Sequence, residues 1–267
     1  MSGPDAQRLD AALVTRGLAV SRNRAARQIA AGHVVVNGGA AQKASQKVSA
    51  DDVIELRGED PWVARSAHKL LGALEDFGLQ DLPAGAVCLD AGASTGGFTQ
   101  VLLAVGAAHV YAVDVGHDQL APLLRADARV TNLEGTNLRH LQLHQLPPLP
   151  EQQAGRQSSG VDLVVADVSF ISLTLLLEPL LALTRPGGAL LLMVKPQFER
   201  GRHAVNRNGV VTDPAERKAA VDTVAAAAQA AGATVHGWCE TRLPGPSGNR
   251  EYFIHITQAD SQACTVD

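Results

Sequence analysis

Residues 86–257 alternate between short, almost wholly apolar runs and amphipathic, helix-like segments, and no other feature constrains the fold as strongly. Strands that are apolar on both faces are buried on both faces, which is typical of a parallel sheet covered by helices. The chain is therefore predicted to contain an α/β domain. The predicted strands are 86–90, 109–115, 130–133, 161–167, 189–194, 234–240 and 251–257. The predicted helices are 95–105, 118–128, 172–184 and 213–232.

A glycine-rich loop, Asp90-Ala-Gly-Ala-Ser-Thr-Gly-Gly97, follows the first predicted strand and opens the next helix. Residues this small let the backbone approach a ligand at the carboxyl end of a strand, as in nucleotide sites. The loop lacks the Gly-Lys-Ser/Thr of a P-loop, and its spacing is not G-x-G-x-x-G. Asp114 ends the second strand, where a carboxylate can accept both hydroxyls of a ribose. A tight turn and a helix cap would explain the same residues without a ligand.

The first 50 residues differ from the rest of the chain in charge. They contain seven Lys/Arg and two Asp/Glu, a net +5, whereas residues 51–267 contain sixteen and twenty-five, a net −9. Two units with different partners are therefore expected.

The positive unit is predicted to begin with two helices, at 8–18 and 22–31, the second capped by Ser21. A strand and a tight hairpin turn at Asn37-Gly38 follow. Several arginines crowd the first turns of the second helix, and a carboxylate-free cluster of this kind suits phosphate groups.

Three further features limit the possible classes of protein. Gly and Pro at 58–64 predict a linker, and Gln, Pro, Ser and Gly at 142–160 predict a solvated surface insertion. The most apolar stretch is interrupted by charges and proline, so neither a membrane span nor a secretion signal is expected. The three cysteines are scattered and form no metal motif, which favours a reducing, cytoplasmic location.

Three runs in the positive unit resemble the S4 domain, a compact RNA-binding fold. They are Arg8-Leu-Asp10, Ser21-Arg22 and Ala31-Gly-His-Val-Val-Val-Asn-Gly38, within residues 8–57. The resemblance implies an RNA-binding role. The residues expected to contact phosphates are Arg8, Arg22, Arg24, Arg27 and Lys43. A solvated helix face in a domain used for protein contacts is the alternative.

Four runs in the larger unit resemble the signature sequences of the TlyA (hemolysin A) family. They are Asp90-Ala-Gly-Ala-Ser-Thr-Gly-Gly-Phe-Thr99, Ala166-Asp-Val-Ser-Phe-Ile-Ser172, Val194-Lys-Pro-Gln-Phe-Glu199 and Gly245-Pro-Ser-Gly-Asn-Arg-Glu251. Members are S4-bearing, FtsJ-like enzymes that methylate ribose 2′-hydroxyls of ribosomal RNA with S-adenosylmethionine.

The resemblance implies a Rossmann-like class I methyltransferase fold with a mostly parallel, seven-stranded sheet, preceded by a small α+β S4 domain. The closing pair of predicted strands favours the same variant of the doubly wound sheet. The expected division is an S4-like domain at 1–57, a linker at 58–64, a methyltransferase domain at 65–257 and a flexible tail at 258–267.

FtsJ-like enzymes use a Lys-Asp-Lys-Glu tetrad, and the matching motifs place it at Lys69, Asp167, Lys195 and Glu251. We expect Lys195 to be central, either as the base for the ribose hydroxyl or as a cation that stabilises the developing alkoxide. The sequence leaves both roles open. Asp167 and Glu251 would tune this lysine, and Lys69 would place the substrate.

The resemblance also implies the ligands and partners. The expected S-adenosylmethionine contacts are Gly92, Ala93, Ser94, Thr95, Gly96, Gly97, Phe98 and Asp114, with Glu134 and Asn137 as further candidates near the adenine. No metal is expected, because no histidine pair has metal-ligand spacing. Phe170 and Phe198 could stack on the target base or pack in the core.

The expected partners are ribosomal RNA or ribosomal subunits, with no membrane and no obligatory protein partner. The resemblance points to cytidine in 16S or 23S rRNA, or both, and to a link with capreomycin susceptibility.

One departure from the family pattern and three alternative functions have to be considered. Family members often show Arg-Gly-Gly/Ala-Leu-Lys-Leu at the first lysine, whereas this chain has Arg65-Ser-Ala-His-Lys-Leu70, which leaves the shape of the entry open. An S4-domain ribosome-assembly factor with an inactive methyltransferase-like domain would share these motifs. A dinucleotide-dependent oxidoreductase would share the sheet and Asp114 but would have no use for the tetrad. An S4-bearing pseudouridine synthase would need its own aspartate motif and no glycine loop.

Overall fold

The computed structural model describes residues 7–16, 18–19, 22–58, 61–149, 159–245 and 247–259. The chain forms two compact units, Met1–Pro61 and Trp62–Asp267. The expected cap at Ser21, the side chain of Arg24 and the expected tail from residue 260 onward lie outside the described residues.

The first unit packs two helices against short strands. In chain order its elements are β1 (Gln7–Arg8), α1 (Leu9–Thr15), α2 (Arg22–Ala30), β2 (Val34–Val36), β3 (Gly39–Ala40), β4 (Lys47–Val48) and β5 (Ile54–Leu56). Asn37 and Gly38 both have positive φ, at 50° and 81°, so the predicted tight hairpin turn between β2 and β3 is confirmed. The pairing of β1 with β4 was not predictable, because two-residue strands carry no periodicity.

The second unit contains the α/β sheet. In chain order its elements are α3 (Ser66–Asp76), β6 (Val87–Ala91), α4 (Gly97–Val105), β7 (His109–Val113), α5 (Pro122–Arg125), β8 (Val130–Leu133), β9 (Val161–Ala166), α6 (Leu177–Leu183), β10 (Thr184–Val194), α7 (Pro196–Glu199), α8 (Pro214–Ala230), β11 (Thr234–Glu240) and β12 (Tyr252–Thr257). The described strands form one seven-stranded sheet in the order β11-β12-β10-β9-β6-β7-β8. β12 runs antiparallel to both of its neighbours, whereas the pairs from β10 to β8 are parallel.

The apolar strands of the sheet are buried on both faces, as predicted. Leu89 and Tyr111 belong to a core on one face with α6 and α8, while Cys88 and Val110 belong to a core on the other face with α3, α4 and α5. Because the central strands are parallel, their carboxyl ends lie along one edge of the sheet, across the strands, which is where an open α/β sheet binds ligands.

Two predicted helices are shorter than expected. The helix predicted at 118–128 is reduced to α5, because the carboxylate of Glu134 accepts the amides of Gln119 and Leu120 and holds that segment in a loop. The helix predicted at 172–184 is interrupted: a 3₁₀ turn at Leu173–Leu175 precedes α6. Helices α3 and α7 were not predicted.

The prediction that 142–160 is a solvated insertion is wrong for its described first part. Leu146 and Leu149 are buried in the core, and the Tyr111 hydroxyl donates a hydrogen bond to the Pro147 carbonyl at 2.7 Å. Residues 150–158 of the segment lie outside the described residues. Among the described helices, none has the length and apolar character needed to cross a bilayer.

Candidate active site

The first and last residues of the tetrad, Lys69 and Glu251, form a buried ion pair. Lys69 lies in α3 and its Nζ is 2.5 Å from Oε2 of Glu251, which is only 1% exposed and directly precedes β12. The pair joins positions 182 residues apart in the chain. Gly245 contacts the same carboxylate, since a Cβ at this position would lie 2.6 Å from Glu251 Oε1. Any side chain at residue 245 would displace Glu251.

The other two tetrad residues form a second ion pair. Nζ of Lys195 lies 2.7 Å from Oδ1 of Asp167 and donates a hydrogen bond to the Ser169 hydroxyl at 2.7 Å. Lys195 follows β10 and Asp167 follows β9, and these strands are parallel neighbours. Lys195 is 8% exposed, so its ammonium is largely shielded from solvent yet open to a ligand at the strand ends.

Sheet pairing brings the two ion pairs together. Val194 pairs with Tyr252 across the antiparallel strands β10 and β12. Lys195, which follows Val194, and Glu251, which precedes Tyr252, are therefore neighbours just beyond this pair. The structure thus brings all four predicted tetrad residues to one edge of the sheet.

Ser66, Ala67 and His68, which precede Lys69 and are bulkier than the residues of the family pattern, form the start of α3. Ala67 is buried, while His68 points into solvent. Ser66 packs against Gly97, the first residue of α4. The three residues that depart from the family pattern therefore lie in the first turn of a regular helix that also carries Lys69.

The glycine-rich loop lies beside this edge. Gly92 has φ of 84°, and a Cβ there would lie 3.0 Å from the Asp167 carbonyl oxygen, so the loop approaches the tetrad closely only because residue 92 is glycine. Gly96 also has positive φ, and a side chain there would overlap Leu124. At Gly97 a side chain would overlap Ser66. Packing therefore explains Gly96 and Gly97, both expected cofactor contacts, independently of any ligand.

Asp114 links the glycine loop to the end of β7. Its two carboxylate oxygens accept the amides of Ser94 at 2.8 Å and Gly116 at 2.7 Å. Each oxygen retains acceptor capacity, and the residue is partly exposed. The neighbouring Val115 is 66% exposed, an apolar side chain beside a carboxylate. These two side chains fit a nucleoside, because the carboxylate can accept hydrogen bonds from a ribose diol and the valine can pack against the face of a base.

Glu134 and Asn137 fix local turns. Hydrogen bonds, first of all from the Leu120 amide, lower the pKa of Glu134 to about 2. Oδ1 of Asn137 accepts the Arg139 amide at 3.0 Å. Their contact with adenine stays a prediction.

Asp90 was noted in the sequence only as the first residue of the glycine-rich loop, and no role was predicted for its side chain. Its side chain is fully buried, and Oδ2 accepts both the amide and the hydroxyl of Thr99 in α4. Oδ1 has no hydrogen-bond partner among the described residues. Burial raises the pKa of Asp90 to about 7, although the bonds from Thr99 act in the opposite direction.

The loop after β9 presents an aromatic side chain. Phe170 is 91% exposed with φ of 65°, and its ring lies 5.2 Å from that of Phe198. Nζ of Lys195 is 6.0 Å from the Phe198 ring centre. Core packing of Phe170, one of its two predicted roles, is therefore wrong, while base stacking stays a prediction.

Glu199 holds this loop to the one after β10, a role that no spacing in the sequence signals. Its carboxylate accepts the Ser172 hydroxyl at 2.5 Å and the Leu173 amide at 2.8 Å. Burial raises the pKa of Glu199. Within the part of the chain that is described, no group of three His, Cys, Asp or Glu is placed to hold a metal ion.

In the first unit, the expected carboxylate-free arginine cluster contains a carboxylate. Asp10 is buried and pairs with Arg8 and Arg22, each at 3.0 Å. The Arg8 guanidinium is the main cause that lowers the pKa of Asp10 to about 2. The sequence pattern of the arginine-rich helix α2 did not indicate this pairing, because Asp10 lies in the preceding helix, α1. Arg27 and Lys43 are exposed, as a phosphate contact requires.

The sheet order, the antiparallel closing strand and a carboxylate after β7 together define an α/β methyltransferase. The chain belongs to the FtsJ-like methyltransferase family, within its TlyA (hemolysin A) branch. The FtsJ-like methyltransferase profile matches residues 62–258, and the S4 domain profile matches residues 7–54.

Relatives extend over both units. The chain is 50% identical over 256 residues to the 16S/23S rRNA (cytidine-2′-O)-methyltransferase TlyA of Mycobacterium tuberculosis, which covers 95% of this chain and 91% of that protein. It is 33% identical to Hemolysin A of Brachyspira hyodysenteriae, over 93% of this chain and 99% of that protein. A solved structure described as a hemolysin from Streptococcus thermophilus is 35% identical and superposes with a TM-score of 0.72, covering 97% of this chain and 90% of that one. The predicted family, fold class and enzyme class are confirmed.

Proposed function

We propose that this protein transfers a methyl group from S-adenosylmethionine to the ribose 2′-hydroxyl of a cytidine in ribosomal RNA. The observation that carries the proposal is the meeting of two ion pairs, Lys69–Glu251 and Lys195–Asp167, at the carboxyl edge of the sheet. Two lysines and two carboxylates in a largely buried site are costly to maintain for stability alone. The substrate named for the Mycobacterium tuberculosis relative supports the choice of acceptor.

The residues around Asp114 would hold the cofactor. Asp114 would accept the ribose hydroxyls, and the exposed Val115 would contact the adenine. Gly92 brings the loop against the backbone of Asp167, which supports a cofactor position beside the second ion pair. When bound, S-adenosylmethionine supplies a methyl group on a positively charged sulfur.

Lys195 acts on the acceptor hydroxyl. Asp167 and Ser169 fix its ammonium from two sides, so the lysine is oriented before substrate arrives. Two roles fit this geometry: removal of the hydroxyl proton, or stabilisation of the alkoxide by charge. The Lys69–Glu251 pair borders the same site, and the exposed ring of Phe170 offers a stacking surface for the target base.

The first unit would anchor the RNA. Arg27 and Lys43 are exposed, and Arg8 and Arg22 add positive charge that Asp10 offsets in part, in contrast to the net negative charge of residues 51–267. Phosphate contacts of this kind fix position without reading sequence, so the choice of nucleotide would rest with the second unit.

The test uses the full-length protein with methyl-labelled S-adenosylmethionine and separate 30S and 50S subunits that lack the native modification. Labelled nucleosides are identified by mass spectrometry. We expect 2′-O-methylcytidine, with the rate lowered by about 10²-fold or more in Lys195→Ala. Lys218→Ala is the matched control, because this exposed lysine pairs with Asp222 on the surface of α8 and with no other described residue.

The outcomes separate the alternatives. Label in a base, or in no nucleoside despite cofactor binding measured by calorimetry, would refute ribose methylation of these subunits. Absence of cofactor binding would favour the assembly factor with an inactive domain. A Lys195→Ala protein that melts like the wild type but keeps full activity would refute the role given to Lys195.

A further inference from the structure

The segment between α7 and α8 is rich in positive charge and belongs to neither ion pair of the site. Residues 200–209, the 200–209 loop, contain Arg200, Arg202, His203 and Arg207 and no Asp or Glu. Arg200 is neutralised by Glu216 at 2.7 Å. Arg202 and Arg207 are exposed, and neither forms an ion pair or side-chain hydrogen bond with any residue in the described ranges. Two uncompensated guanidinium groups therefore project from this loop.

Both ends of the 200–209 loop are fixed beside the tetrad. Its start follows α7, the short helix that comes directly after Lys195. Its end is held by Asn249, which is 3% exposed and lies two residues before Glu251. Asn249 Nδ2 donates to the Gly209 carbonyl, and its Oδ1 accepts the Val211 amide, both at 3.0 Å. The loop therefore borders the site between Lys195 and Glu251.

Internal hydrogen bonds give the loop a defined shape. Asn206 Oδ1 accepts the amides of Asn208 at 2.9 Å and Val210 at 3.0 Å. The Gly209 amide donates to the Asn206 carbonyl, and a 3₁₀ turn covers Arg202–Ala204. A loop built in this way presents its arginines with little further loss of conformational entropy on binding.

We propose that Arg202 and Arg207 bind backbone phosphates of the RNA strand next to the target nucleotide. The proposal rests on the proposed function, because it takes RNA as the substrate. The second unit, residues 62–267, contains fifteen Lys/Arg and twenty Asp/Glu, a net charge of −5, which repels RNA from the very unit that must act on it. Two exposed arginines at the edge of the site offset this repulsion locally, and guanidinium groups match phosphate geometry. The 200–209 loop thus forms a second RNA contact, on the catalytic unit itself.

The test compares three double variants of the full-length protein. Arg202→Ala/Arg207→Ala removes the proposed contacts. Arg202→Lys/Arg207→Lys keeps the charge. Arg129→Ala/Arg185→Ala is the matched control, since it removes two partly exposed arginines near the amino ends of β8 and β10, at the opposite edge of the sheet. Equilibrium binding to the ribosomal subunit that serves as substrate is measured over a range of salt concentrations, and kcat and KM are measured separately.

We expect the alanine pair in the loop to raise KM for RNA about tenfold or more with kcat unchanged, because phosphate contacts bind ground state and transition state alike. The slope of log affinity against log salt should become shallower by about 1.4–1.8, the value for two lost phosphate contacts. The lysine pair should retain most of the slope, and the control should match the wild type.

Two results would overturn the inference. One is an Arg202→Ala/Arg207→Ala protein that binds RNA with the wild-type salt slope. The other is a loss of kcat with KM unchanged, which would place the arginines in the chemistry or the fold. Failure of the proposed function is distinguishable: a wild-type protein that binds RNA through these arginines but transfers no methyl group would leave the inference standing and refute the reaction.

Discussion

Asp90 shows how one buried carboxyl group can make the stability of the site depend on pH. The group is fully buried, and its pKa is raised to about 7 from an ordinary value of 3.8, chiefly because burial disfavours the charged form. Between these two values the folded protein keeps the proton while the unfolded chain loses it. Stability therefore falls as pH rises through this window and levels off above about 7.

Replacing Asp90 by Asn should remove this dependence. The amide can accept the two bonds from Thr99 without a titrating proton. The free energy of unfolding of Asp90→Asn, relative to the wild type, should increase between about pH 5 and about pH 8, as measured by urea denaturation. A constant difference across this range would show that Asp90 is not protonated in the folded protein near neutral pH.

Gly97 gives a second prediction at the level of the residue. A methyl group there would overlap the Ser66 hydroxyl and lie 3.1 Å from the Ala67 amide nitrogen, so α3 and α4 would have to separate. Gly97→Ala should lower the free energy of unfolding by about 1–3 kcal/mol. Adding Ser66→Ala should restore part of the loss. If the double variant is no more stable than Gly97→Ala, the hydroxyl is not the source of the strain.

At the scale of elements, the short helix α7 fixes the geometry of two neighbouring loops. Glu199 ends α7 and accepts two hydrogen bonds from the loop after β9, while Lys195 begins the loop after β10. The carboxylate thus maintains the relative position of the segments that carry Lys195 and Asp167. Glu199 is a positioning residue, since it reaches neither side chain directly.

Glu199→Ala should lower kcat about tenfold while the dissociation constant of the cofactor stays within a factor of about two. Glu199→Gln should recover most of the rate, because its amide oxygen still accepts the Leu173 amide. Glu178→Ala, which removes an exposed carboxylate from the neighbouring α6, serves as control. Equal losses in the Ala and Gln variants would argue against a positioning role.

The central strands of the sheet were predictable, because strands buried on both faces consist of continuous apolar runs. The edge strands β8 and β11 are only partly buried, yet both were predicted at their observed bounds. Helices near the site were less predictable. α3 was missed, and α5 was predicted too long because the bonds from Glu134 depend on residues distant in sequence.

The four residues of the tetrad were identified from motifs, but their pairing was not. Nothing in the sequence indicates that Lys69 pairs with Glu251, because that contact exists only once α3 packs on the finished sheet. The bonds of Glu199 and the buried state of Asp90 likewise depend on tertiary contacts. Motifs thus supply residue identities, and the fold supplies their partners.

At the scale of the whole molecule, charge is distributed unevenly: residues 1–50 carry a net charge of +5 and residues 51–267 a net charge of −9. In the first unit not every positive side chain is available to RNA. The Arg16 guanidinium donates to the carbonyls of Asp52 and Ser49, each at 2.6 Å, whereas Arg27 and Lys43 are exposed.

Arg27→Gln/Lys43→Gln should therefore make the salt dependence of RNA binding shallower by about 1.4–1.8 in log–log slope. Arg16→Gln removes a charge of the same sign but should act mainly on thermal stability, because its hydrogen bonds hold the 49–52 turn. Binding titrations in several salt concentrations and thermal melts separate these effects. Equal changes of slope in both proteins would contradict the assignment of Arg27 and Lys43.

The ion pair between Lys69 and Glu251 also sets the order in which this protein can mature. During synthesis the lysine emerges 182 residues ahead of its partner, about 9–36 s earlier at bacterial elongation rates of about 5–20 residues per second. For that interval α3 cannot settle on the sheet without burying an unpaired cation. The arrival of β12 between β10 and β11 supplies the missing carboxylate and completes the tetrad. A nascent chain therefore has no complete tetrad until β12 has been synthesised.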